Sequence, residues 1–327
     1  MTGHAVRVLL VGGTLLLSVA SVPAVGRDAV CRAEPDVQPS LAHLANRMAH
    51  GRFVAYQPTA LQIIDGRATQ ADEASIADDL TVLRSRFDGL ITYGSLNGAE
   101  RIADVAARAG YKAVILGVWD LSNGVEISNA IAAWQRHPQL VVGISLGNEI
   151  VFSKRGDFGT LAHAFDTARR RAPGVALTTT EPFHVFLNDD SAALLAKMDF
   201  MLVNVHPIFQ PWFASAPDEN AAQFVVNVAD LLPKVYCGPV LVKETGEPTA
   251  PLEAGYSPVR QANFYARLRE RFVPTSMRAF AYFSAFDAPW RVNDSQAVPG
   301  YHPEEAHWGL YDAQRTAKPV VATIPDL

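Results

Sequence analysis

Two glutamates each close a short apolar run, in Ile144-Ser145-Leu146-Gly147-Asn148-Glu149 and in Val240-Leu241-Val242-Lys243-Glu244. An ionised carboxylate at the end of a buried segment is costly unless it is hydrogen-bonded or paired. One such residue reads most simply as a satisfied structural acid. Two of them define a chemistry: a pair of carboxyls about 5–5.5 Å apart can cleave a glycosidic bond with retention, one as nucleophile, the other as acid and then base. Asn148 adds an amide that could hold a sugar hydroxyl beside the reacting carbon.

Positioning such a pair takes strands that end on the same side of the molecule. From about residue 50 the chain alternates short apolar runs with helical spacings. The runs are Phe53-Val54-Ala55-Tyr56, then 89–93, 112–119, 140–146, 176–180, 200–205, 239–243 and 278–285. They are mostly apolar rather than alternating, with 176–180 only strand-like, as expected of parallel strands buried on both faces. Between them, residues such as Ile76, Leu80 and Leu83 recur at helical spacing. Eight strand–helix units predict a single (β/α)8 barrel, and no glycine-rich turn follows the first strand to favour a doubly wound sheet. In such a barrel the chemistry sits where strands end, and polar or aromatic residues cluster there. Tyr56, Tyr93-Gly94, Trp119-Asp120, Asn148-Glu149, Glu181-Pro182, Asn204-Val205-His206, Lys243-Glu244 and Asp287 through Trp290 mark the eight ends. Glu149 and Glu244 close the fourth and seventh strands, three apart around the ring. Tyr56, Tyr93, Trp119, Trp212, Trp290, Trp308 and Tyr311 all fall at strand ends or in the following loops. Aromatic faces there suit the apolar C–H faces of sugar rings. Trp134, on a helix, reads as core.

The ends and the composition set the remaining bounds. Residues 1–24 read as a secretory signal: His4 and Arg7, an apolar run from Val8 to Ala20, then Val22-Pro23-Ala24. The run, about 13 residues, is short of the roughly 20 that span a bilayer, and no later stretch is long enough. A secreted or periplasmic protein is expected, with residues 25–49 as a lead-in, extended over 25–45, and the barrel over 50–327. In an oxidising compartment Cys31 and Cys237 could pair, or stay as two thiols; the sequence leaves both open. With 28 basic and 33 acidic residues the net charge is −5, which excludes a general nucleic-acid binder. With 49% hydrophobic residues the chain is too apolar for disorder. His302-Pro303-Glu304-Glu305-Ala306-His307 holds metal-capable types without helical i, i+4 spacing or a partner His-x-His, so no metal and no cofactor are expected. The expected partner is a sugar polymer, the expected state a monomer.

At these residues the chain resembles glycoside hydrolase family 17, the β-1,3-glucanase family. The resemblance runs over about 50–320 and is carried by four segments: 144–149, Val242-Lys243-Glu244-Thr245-Gly246-Glu247-Pro248, Val203-Asn204-Val205-His206-Pro207, and Tyr282 through Trp290 with 305–310. It implies Glu149 as acid/base and Glu244 as nucleophile. It implies Tyr56, Tyr93, Asn148, His206, Asp287 and Trp290 as contacts around the cleft, and a β-glucan as substrate, hydrolysed or transferred. A catalytically idle glucan-binding protein is the alternative from another class, and the intact glutamates argue against it. Three departures bear on sugar subsites: Ile91 for an arginine common in bacterial relatives, Glu247 for a tryptophan, and Ala288 for a glutamate.

Overall fold

The structure, a computed structural model, describes residues 28–31, 37–215, 218–293 and 300–327. The expected signal over 1–24 lies outside them. In chain order the elements are α1 (Gln38–His50), β1 (Phe53–Ala55), the hairpin β2 (Ile63–Ile64) and β3 (Arg67–Ala68), α2 (Glu73–Leu83), β4 (Gly89–Ile91), α3 (Ile102–Arg108), β5 (Ala113–Val118), α4 (Gly124–Arg136), β6 (Val141–Asn148), α5 (Phe158–Arg171), β7 (Leu177–Pro182), the short α6 (Phe183–Phe186) and α7 (Ala192–Leu195), β8 (Met201–Asn204), α8 (Asp218–Leu231), β9 (Val240–Glu244), α9 (Pro258–Arg271) and β10 (Arg278–Tyr282). Eight strands close a parallel barrel in the order β1-β10-β9-β8-β7-β6-β5-β4. The (β/α)8 expectation is borne out.

Helix starts follow their caps. Asp72 accepts from Ser75 N at 2.7 Å, Asn123 from Val125 N at 3.0 Å, and Ser257 from Arg260 N at 3.2 Å. Each supplies an acceptor for a donor the first turn leaves unpaired. Asp157 and Thr160 form a reciprocal box before α5.

The apolar residues divide by direction. Phe53, Ile91, Ile115, Phe200, Leu202 and Leu241 point into the lower barrel. Val54, Leu90, Val114, Val203 and Val242 point outward against the helices. Residues 38–45 of the expected extended lead-in are instead part of α1. Leu44 and Met48 of that helix are fully buried and join the interior cluster. The helix touches both β6 and β10, on opposite sides of the ring, so it lies across the mouth at the strands' N-terminal ends. Ahead of it, Val30 bridges Tyr236 and Cys31 is disulfide-bonded to Cys237. No helix among the described residues is long and apolar enough to cross a membrane.

Candidate active site

A regular strand alternates its side chains, so consecutive residues cannot both face the barrel axis. Two register shifts break that rule where the chemistry needs it. On β6 and β7, Ser145 pairs with Thr178 and Asn148 with Thr180, so β6 carries one extra residue. Gly147 takes φ +81°, and a Cβ there would lie 2.4 Å from Ile150 Cγ1; only glycine fits. The bulge and the following left-handed Glu149, φ +54°, bring both Asn148 and Glu149 to the cleft. On β8 and β9, Val203 pairs with Val242 but Asn204 with Glu244, so Lys243 is the extra residue. Lys243 follows the alternation inward after Val242, and the shift brings Glu244 inward beside it.

The two carboxyls have different surroundings. Asn204 Nδ2 donates to Glu149 Oε1 at 2.8 Å. Burial, then the charge of Glu244, raise the Glu149 carboxyl above the usual range, against the pull of Asn204. Burial would also raise Glu244. There the Lys243 ammonium, 3.3 Å from Oε1, and His206 Nε2, 3.4 Å from Oε2, outweigh it and hold the carboxyl well below the usual range. One acid is favoured protonated and its neighbour ionised, the division of labour that acid–nucleophile catalysis requires. Lys243 itself is buried, donates to Asn148 Oδ1 at 2.6 Å and sits 4.0 Å above the Tyr93 ring.

Two cavities meet at this pair. The first, about 330 Å³, is lined by Tyr93, Trp119, Asn148, Asp287 and Trp290. The second, about 510 Å³, is lined by Phe152, Phe183, His206, Tyr256 and Trp308. Glu149, Glu244, Phe283 and Arg291 line both. Tyr93, Asn148, Trp290 and His206 line the cavities around the pair, with the His206 ring edge-on to Phe209, Phe283 and Trp308.

Other expected residues are held by contacts of their own. Tyr56 borders the first cavity but is fully buried, and its hydroxyl donates to Asp79 Oδ2 at 2.8 Å. Phe53 and Ala55 take the inward positions of β1, so Tyr56 is directed at α2. Asp287 lies on the cavity wall, yet its Oδ1 accepts from Gly309 N at 2.8 Å and Lys318 Nζ at 2.7 Å, tying down the loop after β10. Trp212 packs on Phe213 and Phe224, and Tyr311 on Phe286; neither lines either cavity. Of the three departures, only Ala288 lines a cavity. Ile91 is barrel core, and Glu247 is buried 3.3 Å from Arg260 Nε.

Sequence reasoning gave no role to Lys243, Asn204 or Glu181. Each carried a signal, a polar side chain ending an apolar run. Glu181, fully buried at the end of β7, accepts from Val151 N at 2.8 Å and Phe152 N at 3.2 Å. Burial pushes it up to about 7 despite those bonds.

Residues 54–309 match the BtgE/BtgC glycoside hydrolase domain. The chain belongs to that family. Its members are glycosidases, and the enzyme class expected from the glutamate pair is borne out, as a glycosidase or transglycosylase. A glucan 1,3-beta-glucosidase of Arthroderma benhamiae is 26% identical over 266 residues, 76% of this chain and 84% of that protein. A probable beta-glucosidase, btgE, of Emericella nidulans is 30% identical over 179 residues, 53% of this chain and 31% of that protein. Among solved structures, a glycoside hydrolase family 17 beta-1,3-glucanosyltransferase from Rhizomucor miehei superposes with TM-score 0.63 at 19% identity, covering 84% of this chain and 98% of that one. An endo-laminarinase from Formosa gives 0.65 at 17% identity, covering 83% and 85%. These superpositions show the shared fold, and the resemblance to family 17 stands.

Proposed function

We propose that the protein is a retaining enzyme acting on β-glucan, most simply β-1,3-linked, with Glu149 as acid/base and Glu244 as nucleophile. The reading rests on one observation: bulges on β6 and β9 bring two buried glutamates to one cleft, where their neighbours favour opposite protonation states. Glu149 gives its proton to the glycosidic oxygen as the bond from that oxygen to the anomeric carbon breaks. The Glu244 carboxylate attacks that carbon and forms an ester. Glu149, now ionised, takes a proton from water, whose oxygen displaces Glu244 and restores both residues. Asn148 Nδ2 is free of the Lys243 bond, which uses Oδ1, and is available to the hydroxyl beside the reacting carbon. Trp119 and Trp290 supply faces for stacking in the first cavity.

Glu244→Ala and Glu149→Ala should each lose about 10³-fold or more on laminarioligosaccharides, whose leaving sugar needs a proton. Azide should rescue Glu244→Ala with inverted product. Near-normal turnover of either variant would sink the assignment, and tight binding without any product over long incubation would return the glucan-binding alternative.

A sugar hydroxyl in place of water gives transfer. The second cavity favours this reading as a companion, since its aromatic wall beside the pair could hold an acceptor sugar. Mass spectrometry on laminaripentaose separates the two: products longer than the substrate mean transfer, only shorter ones hydrolysis. We infer an exported protein, because a Cys31–Cys237 disulfide suits an oxidising compartment. N-terminal sequencing of the exported form should begin just after residue 24.

A further inference from the structure

We propose that Glu181 is a positioning residue for the acid/base: its carboxylate ties down the turn that follows Glu149 and thereby sets where that side chain points. This rests on the assignment of Glu149 above. The Glu149 backbone is left-handed at φ +54°, a conformation that L residues other than glycine keep only when their surroundings enforce it. The residues immediately after it form an irregular turn with donors that no helix or strand pairs. The end of β7 answers them in sequence. Thr180 O accepts from Glu149 N at 2.7 Å, and the two Glu181 oxygens accept from Val151 N at 2.8 Å and Phe152 N at 3.2 Å.

An acidic residue at that place is expensive. Glu181 is fully buried and within electrostatic reach of Glu149, whose charge opposes its ionisation. A glutamine would supply one acceptor and press an amide N–H₂ against the other backbone donor, since only a carboxylate offers acceptors on both oxygens. Glu181 lines neither cavity, so it does not touch substrate. Its reach is through the turn, and a catalytic group misplaced by an ångström loses about 10²-fold in rate.

The test uses a series of aryl β-laminaribiosides whose leaving groups run from 2,4-dinitrophenol, which departs without protonation, to 4-methoxyphenol, which needs it. The readout is kcat/KM, which covers binding through bond cleavage and is blind to the later release of the sugar from Glu244. Glu181→Gln should fall about 10²-fold on the methoxyphenyl substrate, stay near wild type on the dinitrophenyl substrate, and leave the methoxyphenyl KM within about twofold. Glu149→Ala sets the reference and should show the same pattern more steeply. An equal fall of Glu181→Gln on both substrates would overturn the inference and leave Glu181 a general support of the fold. If Glu149→Ala itself showed no leaving-group dependence, the acid/base assignment would fail first, and the two failures are thereby told apart. Should Glu181→Gln not fold, Glu181→Asp keeps the carboxylate on a shorter arm and should show the same selective fall; an unselective fall there overturns the inference equally.

Discussion

Replacing Lys243 by methionine isolates the group that keeps the nucleophile ionised. The ammonium is 3.3 Å from Glu244 Oε1 and almost wholly out of solvent. At an effective dielectric of about 20, a unit charge pair at that distance is worth about 5 kcal/mol, equivalent to about 3.7 pKa units. That is a ceiling, because His206 still reaches the other carboxylate oxygen at 3.4 Å. A rise of about 1–3 units, the ordinary worth of one neighbouring opposite charge, is the expected outcome. The sign follows from the roles. In the proposed mechanism Glu244 must be deprotonated, so activity is lost as pH falls through its pKa, and raising that pKa moves the acidic limb of kcat/KM to higher pH. On the same proposal the basic limb belongs to Glu149, which must be protonated, and activity is lost as pH rises through its raised value. Because the two carboxyls interact, both limbs report the pair. The assay is kcat/KM against pH on an aryl β-glucoside, well below the melting temperature. The temperature matters because removing one partner of a buried pair costs about 3–5 kcal/mol. An acidic limb that stays put, in a variant with a native circular-dichroism spectrum, would refute the claim that Lys243 holds Glu244 ionised.

Tyr56→Phe removes a hydroxyl bonded to Asp79, which Thr59 and Arg315 also hold. It should cost about 1–2 kcal/mol in urea denaturation and leave KM unchanged; a raised KM with unaltered stability would return Tyr56 to the substrate. Gly147→Ala forces a Cβ into φ +81° and against Ile150, so it should lower stability by at least about 1–2 kcal/mol and kcat/KM by about 10²-fold, read by calorimetry and kinetics on the same preparation. Cys237→Ser opens a link between residues 206 apart, for which chain entropy sets a ceiling of about 5 kcal/mol. A lower melting temperature with unchanged kcat/KM is expected, since Cys237 precedes β9 at the end of the barrel away from the cleft. A loss of activity below the new melting temperature would contradict that placement.

The barrel was legible because parallel strands buried on both faces leave apolar runs, and every strand but the threonine-rich β7 falls on one. The same property hid direction. A strand such as Phe53–Ala55 is buried at every position, so nothing in its composition says which residues face the axis. The resemblance implies Tyr56 as a cleft contact, and the register directs its ring at α2 while it borders the first cavity. The hairpin β2–β3 was missed because its two-residue strands are exposed and carry no periodic signal. Helix α1 was missed although Leu41, Leu44 and Met48 recur at helical spacing, because its apolar stripe is narrow and short.

The bulges show where local sequence stops being informative. On β6 the break in alternation leaves a trace, since Gly147 must be glycine where a Cβ would strike Ile150. On β9 it leaves none, because the extra residue is Lys243, which needs no special backbone. What betrays it is electrostatic: a lysine inside an apolar run is tolerable only with a carboxylate partner, and the adjacent residue is Glu244. Alternation would have sent one of the two outward among the helices, and the apolar packing there offers a charge no partner. The bulge and the ion pair therefore require each other, and the low pKa of Glu244 is a consequence of strand register as much as of the residues that surround it.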